Sequence, residues 1–207
     1  RVARDGQGLD ARLRGLGSSA QAVACDSADM GDTVALSQRL YEDLHGILHT
    51  AGVADKGLLS SVVAGDIGWM CAPKAFGAWH LNTATQGSPL EVQVMFSSVG
   101  SGLGNVGQGN YAAGNASLDA HALSRRACGA AVCSLQWPLV GGAGMGAAAF
   151  AAVGERQAVG MAGISLEQYA ACIGAQLLVP TGVGVSVELV HRYDMHELLR
   201  DLADASQ

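Results

Sequence analysis

The chain has 207 residues, 49% hydrophobic, 14% charged and only 5% aromatic, with 29 glycines, four prolines and a formal net charge of −6. A chain this apolar and this weakly charged collapses around a core, which excludes intrinsic disorder, and its glycines follow no collagen period. The acidic balance, 18 Asp and Glu against 12 Lys and Arg, argues against a nucleic-acid or anionic-membrane partner.

Residues 9–16 have helical spacing. Residues 22–26 (AVACD) are a short apolar run ending in Asp, the pattern of a buried strand whose C-terminal end faces a site. Residues 30–43 read as a helix with Val34, Leu36 and Leu40 apolar, and 44–52 (LHGILHTAG) as a strand entering a glycine turn. A long helix is predicted over 65–85, a strand over 92–98 (VQVMFSS), and another long helix over 106–128 with small residues on one face. A strand follows at 130–137 (AAVCSLQW), then a Gly/Ala-rich loop. A helix at 165–178 opens with a capping box from Ser165 to Gln168, and the last strand is 183–191. The tail from Asp194 reads as helical and polar. Strands that alternate with helices and are almost continuously apolar predict a parallel sheet covered on both faces, with the site at the C-terminal strand ends.

The stretch 127–154 carries no charge, but Ala and Gly dominate it and Gln136 and Pro138 interrupt it, so it reads as buried strand plus loop rather than a membrane span. Five cysteines without a CxxC predict neither a disulfide framework nor a zinc site, and fit a reducing, cytoplasmic setting. His45 and His49 fall in a strand, which would put them ~13 Å apart, too far to share a metal.

Three further features carry chemistry. Ser97 and Ser98 end a strand. Thirteen residues after Ser98 comes Tyr111, and then Asn115, an i, i+4 pair on one helix face, in SSVGSGLGNVGQGNYAAGN. The intervening glycines allow a close turn that returns the helix to the strand end, so Ser98, Tyr111 and Asn115 can meet. Lys74, one of only two lysines, lies in the apolar run WMCAPKAFGAW. Taken singly, these are also a core tyrosine at a helix start, a turn serine and a lysine snorkelling to a solvated face.

Together they resemble the short-chain dehydrogenase/reductase superfamily, and more closely the ketoreductase domains of polyketide synthases and animal-type fatty acid synthases. The matching segments are LHGILHTAGVADKGLL, CAPKAFGAWHL, VMFSSVGSGLGNVGQGNYAAGNASLDA and AAVCSLQWPLVGGAGM, in family order, across nearly the whole chain. Simple members carry YxxxK. Here Tyr111 is followed four residues later by Asn115 and the lysine lies upstream at Lys74, the exchanged arrangement that the resemblance associates with megasynthase ketoreductases.

The resemblance implies a Rossmann-like doubly wound α/β fold over residues 1–192, with 193–207 a linker or docking tail. It implies NADPH-dependent reduction of a β-ketoacyl chain, tethered to an acyl carrier protein, among neighbouring megasynthase domains. Tyr111 would donate the proton, Ser98 would hydrogen-bond the carbonyl oxygen, and Asn115 would hold a water or backbone link that resupplies the proton. Lys74 would support Tyr111 and bind the nicotinamide ribose. An ammonium at about 4 Å in an effective dielectric of ~20 favours tyrosinate by up to ~4 kcal/mol before desolvation. Arg4 matches the partner of the NADPH 2′-phosphate, Asp26 the acceptor of the adenine amino group, and Thr50, Ala51 and Gly52 the turn under the adenosine.

There are departures. No glycine-rich phosphate loop precedes residue 22, and the run Gly142-Ala-Gly144-Met-Gly146 lacks that loop's spacing and reads as the start of a substrate-side lid. The triplet associated with one product configuration is Ala54-Asp55-Lys56, with lysine at the key acid. Leu103 stands where the opposite class carries tryptophan, and Trp137 matches a structural strand-end tryptophan. The chain starts without methionine and reads as cut from a longer polypeptide that supplied the first strand and phosphate loop; the isolated residues would then bind NADPH weakly and be marginally stable, with residues 22–26 set apart from 44–52 by a two-strand gap. Two alternatives remain at this point, a freestanding reductase of a diffusible ketone and a non-catalytic structural half-domain of a megasynthase.

Overall fold

The computed structural model describes residues 14–17, 20–53, 57–104, 107–141, 163–178 and 187–189. Within them, β1 (Gly46–His49), β2 (Val92–Ser98), β3 (Val132–Trp137) and β4 (Val187–Leu189) form a parallel sheet in that order. Leu48 pairs with Val94, Val94 with Cys133, and Ser98 with Trp137. Parallel neighbours need crossovers, and helices supply each one. One helix, α1 (Met30–Leu40), precedes β1, and a helical rail carries the chain from β1 to β2. That rail is α2 (Ala64–Cys71), a π-helical turn (Ala72–Phe76) and α3 (Gly77–Ala84). β2 reaches β3 through α4 (Gly100–Leu103) and α5 (Gly109–Ala127), and β3 reaches β4 through α6 (Leu166–Leu178).

The strands carry apolar residues at both parities because both faces are covered. Val94 and Met95 are consecutive and both fully buried, so they serve opposite faces. Met95 packs with Ala78, Leu118, Ala122 and Val132 beneath α3 and α5. Val94 packs with Cys133, Leu135, Trp137 and Ile164, where Tyr169, Cys172 and Ile173 of α6 close the layer. This is the expected doubly wound α/β arrangement. Among the described residues, no helix is long and apolar enough to cross a membrane.

Three expectations are corrected. Residues 22–26 form no strand: Ala22, Ala24 and Asp26 are exposed, and the Asp26 amide is bonded by the Asp32 carboxylate at 3.0 Å instead of a ladder. A strand exists only through its neighbour, and among the described residues none lies beside this run. Nor does a two-strand gap hold the end of this segment away from β1. A Cβ added to Gly77 would lie 2.9 Å from Ser27 Oγ and 3.0 Å from His49 Cε1, so both segments converge on one glycine. The long helix over 65–85 is not uniformly α-helical, for a reason given below. The first predicted helix lies mostly outside the described residues, and Arg4, residues 54–56, the glycine run 142–146 and the tail 193–207 lie wholly outside them.

Leu118 is fully buried between α5 and the sheet, whereas Leu123, one turn on, is 54% exposed. Leu118→Ala is expected to lower the free energy of unfolding by about 2–5 kcal/mol, and Leu123→Ala to leave it within about 0.5 kcal/mol. Urea titration of both variants checks this.

Candidate active site

Lys74 is set by its neighbour. Pro73 has no N–H and its ring crowds the carbonyl four residues back, so the α-helical ladder cannot continue through it. The chain widens into the π turn over Ala72–Phe76, and the Gly77 amide bonds back to the carbonyl of Ala72, five residues earlier, as well as to that of Lys74. Single π turns of this kind are frequent at functional sites. This one turns Lys74 inward, leaving it 3% exposed.

The buried ammonium donates to the Phe96 carbonyl of β2 at 3.2 Å. Burial pushes its pKa down from 10.5 to about 8, while the Asp119 carboxylate pulls the other way. Two glycines make room for the side chain. A Cβ at Gly52 would lie 3.0 Å from Lys74 Cε and 3.1 Å from Nζ, and one at Gly114 would lie 3.5 Å from Cδ. The turn after β1 thus rests directly on the ammonium, and any side chain at Gly52 would displace one of the two.

Tyr111 and Asn115 come from the first turns of α5. The Tyr111 ring centroid is 5.7 Å from Lys74 Nζ. Asn115 is fully buried; its Nδ2 donates to the Tyr111 carbonyl at 2.9 Å, and its Oδ1 is buried without a partner. Ser97 Oγ donates to the Asn115 carbonyl at 3.3 Å, which ties α5 to β2. Ser98, next along, is half-buried at the strand end, and its Oγ accepts from the Gly100 amide at 3.2 Å, which leaves its own proton free to be donated. The predicted glycine turn after Ser98 contains a short helix, α4, and leaves it through Gly104 at φ 76°, with Gly107 at φ 70°, a backbone region in which glycine is unstrained.

Of the predicted cofactor contacts, Thr50, Ala51 and Gly52 follow directly on β1, and Gly52 lies against Lys74. Asp26 is exposed, and its Oδ1 accepts from the Ala28 amide at 3.0 Å. Arg4 lies outside the described residues. His45 is exposed and paired with Glu91 at 3.2 Å, while His49 is 4% exposed; among the described residues no metal-binding cluster is present. Trp137 stacks among Phe96 and Tyr169, with centroids at 5.5 and 4.4 Å, in a structural role.

Two residues take a place at the site that the sequence reading did not give them. His49 sits under the π turn, where burial drives its pKa down to about 4 despite the nearby backbone carbonyls of Lys74 and Pro73; the ring is neutral and adds no second charge beside the ammonium. Its signal was a polar residue ending an apolar strand. The second is Asp119, one helical turn beyond Asn115, whose signal was a carboxylate continuing the Tyr111–Asn115 stripe.

A model of the KR domain matches residues 1–142. The chain is 40% identical to the spectinabilin polyketide synthase system protein NorB of Streptomyces orinoci, over 86% of this chain and 8% of that protein. It is 32% identical to the mycoketide-CoA synthase of Mycobacterium tuberculosis, over 95% of this chain and 5% of that one. Among solved structures, A-type ketoreductases from a modular polyketide synthase superpose with a TM-score of 0.83 at 29% identity, covering 98% of this chain and 42% of theirs. A short-chain dehydrogenase/reductase from Brucella melitensis shares the fold at 13% identity, with a TM-score of 0.72 over 90% of this chain and 82% of its own. The chain spans less than a tenth of either synthase quoted, and with the KR model covering more than half of it, it belongs to the KR domain family, the ketoreductases of polyketide synthases built on the short-chain dehydrogenase/reductase fold.

Proposed function

We propose that this chain reduces a β-ketoacyl chain, tethered to an acyl carrier protein, to the β-hydroxyacyl form with NADPH, as one domain of a polyketide synthase. The observation that carries this reading is the buried Lys74, fixed on the Phe96 carbonyl, under the Gly52 turn and 5.7 Å from the centre of the Tyr111 ring. The residues present fit a nicotinamide ribose. An ammonium has three N–H donors and Phe96 takes one, which leaves donors for ribose hydroxyls at the place where Gly52 keeps the backbone low. Asp26, exposed, has carboxylate capacity left for an adenine amino group, and Thr50 and Ala51 continue the same edge. Arg4 supports the choice of NADPH over NADH by resemblance alone.

When bound, the nicotinamide would supply the hydride. As negative charge develops on the substrate's carbonyl oxygen, the Tyr111 hydroxyl gives it a proton and the Ser98 hydroxyl donates a hydrogen bond to it. Lys74 keeps a positive charge beside the phenol, so the tyrosinate that remains is electrostatically supported until it is reprotonated. Asn115 holds Tyr111 through the helix turn, and its unpartnered Oδ1 is an acceptor for a proton-relay water. The neutral His49 adds no second charge beside it.

Two outcomes follow. Tyr111→Phe is expected to lower kcat by about 10²–10⁴ while leaving NADPH affinity unchanged; NADPH fluorescence titration, combined with turnover of a carrier-bound β-ketoacyl thioester, checks both halves, and undiminished turnover would overturn the assignment. Lys74 is charged below its pKa of about 8 and neutral above it, so kcat/KM should fall as pH rises through about 8. A pH–rate profile that stays flat to pH 10 would contradict the role given to Lys74.

A further inference from the structure

The polar residues of β3 share one destination. Ser134 and Gln136 alternate out of an otherwise apolar strand towards α5. Ser134 Oγ donates to Asp119 Oδ1 at 2.6 Å, and Gln136 Nε2 donates to Asp119 Oδ2 at 2.8 Å. Ser101, in α4 and three residues past Ser98, donates from Oγ to the same Oδ2 at 2.7 Å and accepts from Gln136 Nε2 at 3.0 Å. One carboxylate therefore joins α4, α5 and β3 immediately behind the strand end that carries Ser98. The Val99 amide, bonded to the Trp137 carbonyl at 3.1 Å, closes the same junction.

All three donors are neutral, so nothing within this network cancels the charge of Asp119. Among the described residues, the groups around Lys74 are these. β1 contributes His49, which is neutral; β2 contributes the Phe96 carbonyl; α5 contributes Tyr111 and Asp119, with His121 further along, its pKa lowered by burial and by Arg125. On the rail itself, Asp66 is bonded to the Val63 amide at the start of α2, two turns away. Among these groups, Asp119 is the carboxylate that favours the charged form of Lys74.

We propose that Asp119 is a positioning residue for the reduction: held by Ser101, Ser134 and Gln136, it fixes the segment that follows Ser98 and supplies the counter-charge of Lys74. This rests on the reading of Tyr111, Ser98 and Lys74 as the reducing site. A purely structural clamp would hold the segment whether or not it were charged, so the two roles separate on titration.

The chain has only two lysines, Lys56 and Lys74, so labelling lysine with carbon-13 at Cε gives two resolvable NMR signals that report their ionisation without any turnover. Asp119→Asn removes the charge at nearly constant shape, because the Ser134 hydroxyl can rotate to accept from the new amide. The expected result is a downward shift of the Lys74 midpoint, an unmoved Lys56, and the same downward shift in the alkaline limb of kcat/KM. Asp119→Glu, which keeps the charge, should return the midpoint towards that of the parent chain. A Lys74 midpoint unchanged in a folded Asp119→Asn chain overturns the proposal. If that variant does not fold, Asp119→Ser, which admits water among the three donors, is read in the same way. A parent chain that turns over no ketone would instead remove the reductase reading, and the NMR shift would still decide whether Asp119 is the counter-charge.

Discussion

The structure depends on keeping one ammonium out of water. An isolated buried charge costs several kcal/mol even after relaxation, and Lys74 offsets that cost with the Phe96 carbonyl, the field of Asp119 and a His49 ring that stays neutral. Each condition draws on a different part of the chain. The carbonyl comes from β2, the carboxylate from α5, and the neutral ring of His49 from β1. The site is therefore assembled by the same contacts that stack the helices on the sheet, and it cannot form in any one element alone.

Getting the side chain inside requires a defect in the helix. A regular α-helix through residues 72–76 would have to accommodate Pro73, which offers no donor and crowds the preceding turn. The π turn resolves this and aims Lys74 at the sheet, while Gly52 and Gly114 leave space for the stem. Proline, lysine and two distant glycines thus form one device. Its rigidity suits the proposed reduction, because a proton donor is useful only when the charge that supports it does not wander.

The other half of the site is organised around strand ends. Parallel strands in register bring Ser98 level with Trp137, and the crossover through α4 and α5 returns Tyr111 and Asn115 to the same edge. Ser97 and Ser98 divide the work by pleat: Ser97 bonds α5 and is structural, whereas Ser98 stands at the open end with a proton to donate. Asp119 pins this edge from behind.

Much of this was legible in the sequence. The alternation of largely apolar strands with helices established a doubly wound sheet, because strands covered on both faces bury apolar side chains at both parities. The spacing of Tyr111 and Asn115 placed both on one face of a helix, as the structure has them, because i, i+4 geometry is local and survives any packing. The scarcity of lysine singled out Lys74. What the sequence alone could not determine was set by partners distant along the chain. Residues 22–26 have the composition of a buried strand but no neighbour to bond, since a strand is a property of a pair. The burial of Lys74, the neutrality of His49 and the convergence of Ser101, Ser134 and Gln136 on Asp119 arise only where separate elements meet, because desolvation and charge compensation are properties of the enclosed volume and not of the residues that line it.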